Sequence, residues 1–418
     1  MGEEMKVYLV GGAVRDKLLG REISDRDYVV VGATHEEMLK RGFTQVGASF
    51  PVYLHPETRE EYALARTERK TGEGHKGFEV CFSPDVTLEE DLARRDLTIN
   101  SMAMDVDSGE IIDPFGGQVD LGLKTLRHTS EAFIEDPLRI LRLFRFKAQL
   151  GEEWHIHPET FKLAYANRHS LAEISAERKW KEMLKALKSG YFRSFAVNMG
   201  RIGELPELEA LRGVQQPKEH HPEGDAYTHT ILALRVADEL EADPLTKFAV
   251  LCHDFGKAIT YKDNGNLHGH EKAGVDVIQS LCERLKIYNI YRDTAKYVAE
   301  NHTKVHAISP RDGNNGLKPK SIMKIFEAAG QADQKIKVYT LADACYCDAK
   351  GRGGDFRHKP YPQGHILLEA YDAMTKVDSK AITKPLLEKG KKGKEIGEAV
   401  RVARIDAIRK AISRDMLF

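Results

Sequence analysis

The stretch ISDRDYVVVG, residues 23–32, decides how the chain begins to fold. Two acids, Asp25 and Asp27, stand one residue apart and run directly into Tyr28, Val29, Val30 and Val31. Tyrosine and valine favour a strand, and strand side chains alternate faces. Asp25 and Asp27 therefore converge on one side, and Arg26 points to the other. Carboxylates that close repel each other unless a cation lies between them. A bare D-x-D is more often a polar strand cap than a metal site, so the neighbouring sequence has to decide.

Just upstream, LVGGAVRDKLLG (residues 9–20) ends a strand at Val10, turns at Gly11 and Gly12, and opens a helix at Ala13. Glycines let the backbone approach a ligand, and a helix N-terminus offers free N–H groups to phosphate. Arg15 stands in the first turn, within reach of the same anion. A Gly-Gly turn, an early arginine and a D-x-D before a strand together describe a triphosphate and a divalent metal. Magnesium fits that set, because it takes one or two carboxylates and completes its shell with phosphates and water. Glu61, in EEYALAR (residues 60–66), is a third acid. On a strand it is either an exposed edge residue or a neighbour of the aspartates that activates an attacking hydroxyl.

With 418 residues the chain exceeds one ordinary core, so several domains are expected. Hydrophobic residues at 41% and charged residues at 30% place it among soluble globular proteins. The formal net charge of -1 leaves no global basic field, so nucleic-acid contact must come from local patches. No apolar run approaches the roughly 18 residues of a membrane span. The start, MGEEMKVYLVGG, carries two acids before a short strand and matches neither a signal peptide nor a myristoylation pattern. Five scattered cysteines without a C-x-x-C pair suit a reducing compartment and ordinary buried thiols. A cytoplasmic location follows, with no membrane partner.

Strand-like runs and turns fill the first ~125 residues, and helical periodicity takes over from about Asp136, with no strand signals after it. We expect an α+β chain in four parts. Residues 1–145 form an α/β head with the metal site and the start of a base-reading helix, and 146–224 an all-α neck. Residues 225–350 form a helical, histidine-rich body, and 351–418 a loop and a basic helical tail.

Five ordered motifs closely resemble the nucleotidyltransferase superfamily typified by DNA polymerase beta: LVGGAVRDKLLG, SDRDYVV, RRDLTINSMAMD, DPFGG and EDPLRILRLFRF. More narrowly they resemble the class II bacterial tRNA CCA-adding enzymes. The resemblance implies a polymerase-beta-like head in which Asp25 and Asp27 hold two metal ions, and Gly12 and Arg15 meet the nucleotide. It assigns the second arginine of RRD, Arg95, to the nucleotide, and Asp96 is expected to meet the ribose. The substrates implied are tRNA, CTP and ATP.

Base choice without a nucleic-acid template has a simple chemistry. Adenine and cytosine each present an exocyclic amine beside a bare ring nitrogen. An aspartate accepts from the amine and an arginine donates to the nitrogen. Guanine and uracil reverse that pattern, leaving buried polar groups unpaired at roughly 1–3 kcal/mol each. In EDPLRILRLFRF, Asp136 and Arg139 are three apart and adjacent on a helix, and Arg142 and Arg145 continue the row. An ordinary amphipathic helix with an ion pair reads the same way. The resemblance selects Glu135, Asp136 and Arg139 as the amino-acid template. It also implies that RTERKTGEGHKGFEVCF (residues 66–82) is the flexible loop that resizes the pocket from C to A, which enzymes adding only cytidine lack.

The second half carries His229, then His253-Asp254 in LCHDFGK, His268 and His270 in LHGH, and His302 and His306 in ENHTKVH. This ordered set resembles the HD-domain phosphohydrolases. It implies that His229, His253, Asp254, His302 and a late carboxylate, Asp348 in preference to Asp343, hold a transition metal such as nickel. The activities implied are 2′,3′-cyclic phosphodiesterase, 2′-nucleotidase and phosphatase. Relatives with this domain often repeat His-Asp where this chain reads His302-Thr303, a departure that leaves the first metal set intact. The alternatives are a scaffold without metal, a poly(A) polymerase, or a hydrolase with a degenerate RNA-binding head. In the tail, Lys389, Lys391, Lys392, Lys394, Arg401, Arg404 and Arg409 either grip tRNA phosphates or keep a helix soluble. A monomer and a homodimer are equally compatible with these features.

Overall fold

A computed structural model of the chain describes residues 5–23, 25–46, 52–70, 78–308 and 316–413. It divides into two compact units, residues 1–186 and 187–418. The first unit begins with β1 (Lys6–Val10), α1 (Gly12–Leu18), β2 (Asp27–Val31), α2 (His35–Lys40), β3 (Thr44–Val46), β4 (Val52–Leu54) and β5 (Glu61–Leu64). A hairpin, β6 (Thr67–Lys70) and β7 (Phe78–Cys81), leads to α3 (Leu88–Ala93), β8 (Ala103–Asp105) and β9 (Ile111–Ile112). The centre of the expected size-switching loop, 71–77, lies outside the described residues.

The sheet runs β3-β4-β5-β2-β1-β8-β9. Its strands are antiparallel except β2 and β5, which are parallel. The valine run of β2 is explained by burial on both faces. Val29 joins Tyr8, Val10 and Leu92 in one cluster, while Val30 joins Met38, Tyr53 and Leu64 on the opposite side. Asp27 shares the face of Val29, and so faces the side of α3. Arg26, on the other face, meets Glu60 at 3.3 Å.

The unit continues with α4 (Gly117–Gly122), β10 (Thr125–Leu126), α5 (Leu138–Leu150), β11 (His155–Ile156), α6 (Pro158–Ala166) and α7 (Ala176–Leu187). The expectation of no strand beyond Asp136 fails at β11, which pairs in parallel with β10. Two residues are too few to show a period of two, so periodicity could not reveal it.

The second unit is helical among the described residues: α8 (Phe192–Arg201), α9 (Pro206–Glu209), α10 (Ala226–Glu239), α11 (Pro244–Cys252), α12 (Gly256–Asn264), α13 (His270–Arg284) and α14 (Asn289–His306) come first. Then follow α15 (Pro319–Ala328), α16 (Gln334–Gly351), α17 (Gln363–Thr375), α18 (Ser379–Glu388) and α19 (Gly393–Ile412). The α+β head and helical remainder match the expected fold class. Two glycines allow close backbone approaches in the second unit. A Cβ on Gly351 would lie 2.6 Å from the backbone of Ala233, and one on Gly256 would lie 2.0 Å from the carbonyl of His270. Their absence lets α16 touch α10 and the start of α12 touch the start of α13. None of the described helices is long and apolar enough to cross a membrane.

Candidate active sites

In the first unit, β1 ends one residue before Gly11, whose φ of 70° suits glycine. A Cβ there would approach Arg95 Nη1 at 3.1 Å, so the turn and the RRD arginine are neighbours. Asp91, fully buried on α3, takes Arg94 at 2.6 Å and Arg95 at 3.0 Å. Burial opposes its charge, but the two guanidiniums hold its carboxyl below the usual range. Arg95 also acts on Asp27. Removal from water raises the Asp27 carboxyl, Arg95 lowers it and Asp25 raises it again, with a net upward shift.

Asp27 lies opposite Glu61 in the β2–β5 register. The two share a face at one strand end, and Asp25 just precedes β2. Among the described residues no three ligand groups of this head converge within 4.8 Å. Carboxylate oxygens are the donor type that magnesium takes, with phosphate and water completing its shell.

Arg15 donates to Asn100 Oδ1 at 2.7 Å and to Asp16 at 2.9 Å. Asn100 donates to Asp96 at 3.0 Å, and Arg142 donates to Asp96 at 2.7 Å. Asp96 is thus an internal acceptor that orders Asn100 and Arg142, and only through them the side facing Arg15. Asp136 accepts the Leu138 N–H at 3.0 Å and faces Arg178 at 3.7 Å. Arg139 is buried and donates to the carbonyl of Ala132.

The expected row of arginines does not persist. Three helical residues turn 300°, so each step drifts 60°. By Arg145 the drift is 120°, and its guanidinium binds the buried Glu182 at 2.6 Å and Gln149 at 2.6 Å. Arg15, Arg142 and Arg145 nevertheless all approach the ring of Phe146, at 5.4, 5.3 and 4.2 Å from its centroid.

In the second unit, the gathered histidines come from α10, α13, α14 and, for His253, the turn between α11 and α12. His229 Nε2 lies 3.0 Å from Asp348 Oδ1 and 3.9 Å from Asp254 Oδ2. His253 Nε2 is 3.2 Å from Asp254 Oδ2, and His270 and His302 each lie 3.6 Å from Asp254 Oδ1. The five expected residues, His229, His253, Asp254, His302 and Asp348, are all buried. Ligand atoms of His229, His253 and Asp254 lie within 4.8 Å of one another, as do those of Asp254, His270 and His302, while Asp348 touches the cluster through His229. His253 Nε2 and Asp254 Oδ1 are buried without a hydrogen-bond partner, an arrangement that a cation accounts for.

Burial opposes charge on Asp254, yet His253 and Lys257 hold it well below the carboxylate range. For Asp348, His306 and His229 do the same. Burial disfavours charge on His229, but Asp348 and Glu223 outweigh it and carry the imidazole up to about 9. In the metal-free chain protons thus supply positive charge that a metal would replace.

Sequence reading placed His270 and His306 among the candidates but did not select them. Of the neighbouring acids and histidines, Asp343 and His268 are exposed and outside the cluster. Glu223, His221 and Lys257 went unnoticed. Lys257 donates to Asp254 at 2.6 Å. Only its place four residues after His253 hinted at it. Thr303 donates to Glu271 at 3.0 Å, so an aspartate there would face a like charge. In the tail, Lys391 meets Glu395, Arg401 meets Glu327 and Arg409 meets Asp406, which partly neutralises the basic helix.

Three family models match the chain: the poly A polymerase head domain over residues 7–127, the probable RNA and SrmB-binding site of polymerase A over 154–203, and the HD domain over 226–350. The multifunctional CCA protein of Nitrosococcus oceani is 45% identical over 415 residues, covering 98% of this chain and 99% of its own. That of Vibrio vulnificus is 44% identical over 416 residues, with 98% and 99% covered. The crystal structure of the Bacillus stearothermophilus CCA-adding enzyme in complex with CTP has the same fold. It matches with a TM-score of 0.61 at 24% identity, over 97% of this chain and 89% of that one. The chain belongs to the multifunctional CCA protein family, the CCA-adding tRNA nucleotidyltransferases that carry an HD domain.

Proposed function

We propose that the head adds C, C and A to the 3′ end of tRNA from CTP and ATP. The 3′-hydroxyl attacks the α-phosphorus, its proton leaves and pyrophosphate departs. Asp25 and Asp27 would hold magnesium, which when bound would supply Lewis acidity toward the phosphates and the attacking hydroxyl. Glu61, opposite Asp27, accepts the proton. The backbone at Gly11 and Gly12 carries the triphosphate with Arg15 and Arg95. Asp136 and Arg139 read the base edge, and Asp96 fixes Asn100 and Arg142 behind it. What carries this reading is the meeting of the Gly11 turn, Asp27 and Arg95 at one end of the central strands. The test is to incubate tRNA lacking its CCA end with each NTP in turn. Incorporation of CTP and ATP but not UTP or GTP is expected, and addition of ATP alone would make the chain a poly(A) polymerase.

The HD domain is proposed as a second, metal-dependent active site in the same cytosolic enzyme. His229, His253, Asp254, His302 and Asp348, with His270 beside them, suit a divalent transition metal such as nickel by their imidazole content. Bound there, the metal would supply Lewis acidity toward a phosphoester. Lys257 keeps Asp254 oriented. The proposed substrates are 2′,3′-cyclic phosphates and 2′-nucleotides at damaged RNA ends.

A further inference from the structure

We propose that Glu223, in the segment before α10, is a positioning residue that fixes His229 for metal binding; this rests on the reading of the HD cluster as a metal site. Glu223 Oε1 lies 2.8 Å from His229 Nδ1 and 2.9 Å from His221 Nδ1. An ionised carboxylate only accepts, so both Nδ1 atoms carry the proton. In a neutral His229 ring that leaves Nε2 bare. This atom faces Asp348 Oδ1 at 3.0 Å and Asp254 Oδ2 at 3.9 Å. A bare imidazole nitrogen beside two carboxylates is a donor set that a metal ion would satisfy.

The other oxygen of Glu223 has a second task. Its Oε2 accepts the N–H of Gly353 at 2.8 Å, two residues past the end of α16. A Cβ on Gly353 would lie 3.2 Å from the backbone nitrogen of Glu223, so the two segments touch. The His229 and Glu223 side chains are 0% and 2% exposed. One buried carboxylate thus holds the ring of His229 on α10 and the exit of the helix that carries Asp348. Carboxylates behind metal-bound histidines set the tautomer and the ring orientation, and their loss typically weakens metal affinity roughly 10–100-fold.

The test titrates metal-free, full-length protein with Co2+, read by its visible absorption and by calorimetry. Glu223→Gln keeps the shape and removes the charge. It should raise the Co2+ Kd roughly 10–100-fold and alter the absorption bands, beyond any drop in the melting temperature of the metal-free protein. Glu223→Asp retracts the carboxylate by one methylene and should fall between; should Glu223→Gln not fold, this variant decides. A Kd that stays within about threefold of wild type, with or without a drop in melting temperature, overturns the proposal and leaves Glu223 a mere staple. Wild-type protein that binds no Co2+ would instead overturn the metal-site reading itself.

Discussion

The guanidinium of Arg142 donates to the carboxylate of Asp96 at 2.7 Å, tying α5 to the RRD motif across 46 residues of chain. Asp96 also accepts from Asn100 and from the Leu97 N–H. Burial alone would raise this carboxyl, but Arg142 and Asn100 overcome it and bring it down to about 2. A carboxyl depressed in the folded state stabilises the fold above its unfolded value, near pH 4, and that contribution is lost as pH falls toward 2. The shift corresponds to about 2 kcal/mol. Asp96→Asn should therefore be less stable than wild type at pH 7. In urea unfolding the gap between the two should narrow from pH 5 to pH 3. A gap independent of pH would show that the ionised carboxylate is not the stabilising group.

Gly11→Ala tests the turn that faces Arg95. A φ of 70° with ψ of -131° lies outside the left-handed helical region and costs a non-glycine residue roughly 1–3 kcal/mol. The added methyl would also press on Arg95 Nη1 at 3.1 Å. Stability should fall modestly while KM for both CTP and ATP rises. An unchanged KM would separate the turn from the nucleotide.

Asp25→Ala and Asp27→Ala should each abolish CTP and ATP addition together, because one carboxylate pair serves both steps. Removing a group behind a metal ligand already costs roughly 10–100-fold, so loss of a ligand should exceed that. Release of phosphate by the HD domain should persist in the same preparations. Addition near the wild-type rate in either variant would remove the magnesium assignment.

The valine strand after the D-x-D was legible because strand propensity is local: Asp27 opens β2 on the face of Val29, and Arg26 falls opposite beside Glu60. The RRD arginines were legible as a motif, but Asp91, which clamps both, looked like one more acid of a polar helix. Helical spacing alone put Arg145 in line with Arg139, and the 60° drift per step undid that. In the HD domain, His229 and Asp348 are 119 residues apart, so no spacing rule links them. Their meeting depends on Gly351 letting α16 approach Ala233, and a helical glycine in sequence gives no hint of it.

Asp136→Ala should damage base choice more than folding. The side chain accepts one backbone N–H ahead of α5 and faces Arg178, so its loss should cost on the order of 1 kcal/mol. Selection should suffer more, since the acceptor for the exocyclic amine disappears. UTP and GTP should then compete with CTP and ATP in addition assays. Unchanged selectivity would return Asp136 to a helix-capping role with Arg178 as its partner.

The HD cluster makes the most separable prediction. His253 and Asp254 are adjacent in the turn between α11 and α12. They can serve one metal site only because other helices close it: His229 from α10, His302 from α14 and Asp348 from α16. His253→Ala removes a ring whose Nδ1 has only one backbone partner, the Val250 carbonyl at 2.7 Å, and whose Nε2 has no hydrogen-bond partner. It should therefore cost less stability than the loss of a paired group, while eliminating phosphate release from 2′-nucleotides and opening of 2′,3′-cyclic phosphates. Asp254→Ala should also eliminate both activities and destabilise the fold more, because Lys257 loses its carboxylate at 2.6 Å. In either variant CTP and ATP addition should stay near the wild-type rate, since the head is a separate compact unit. Chelation followed by single-metal restoration should favour a transition metal over magnesium for the hydrolase. Phosphohydrolase activity that survives His253→Ala, or that never appears under any divalent metal, would leave this cluster a buried polar scaffold.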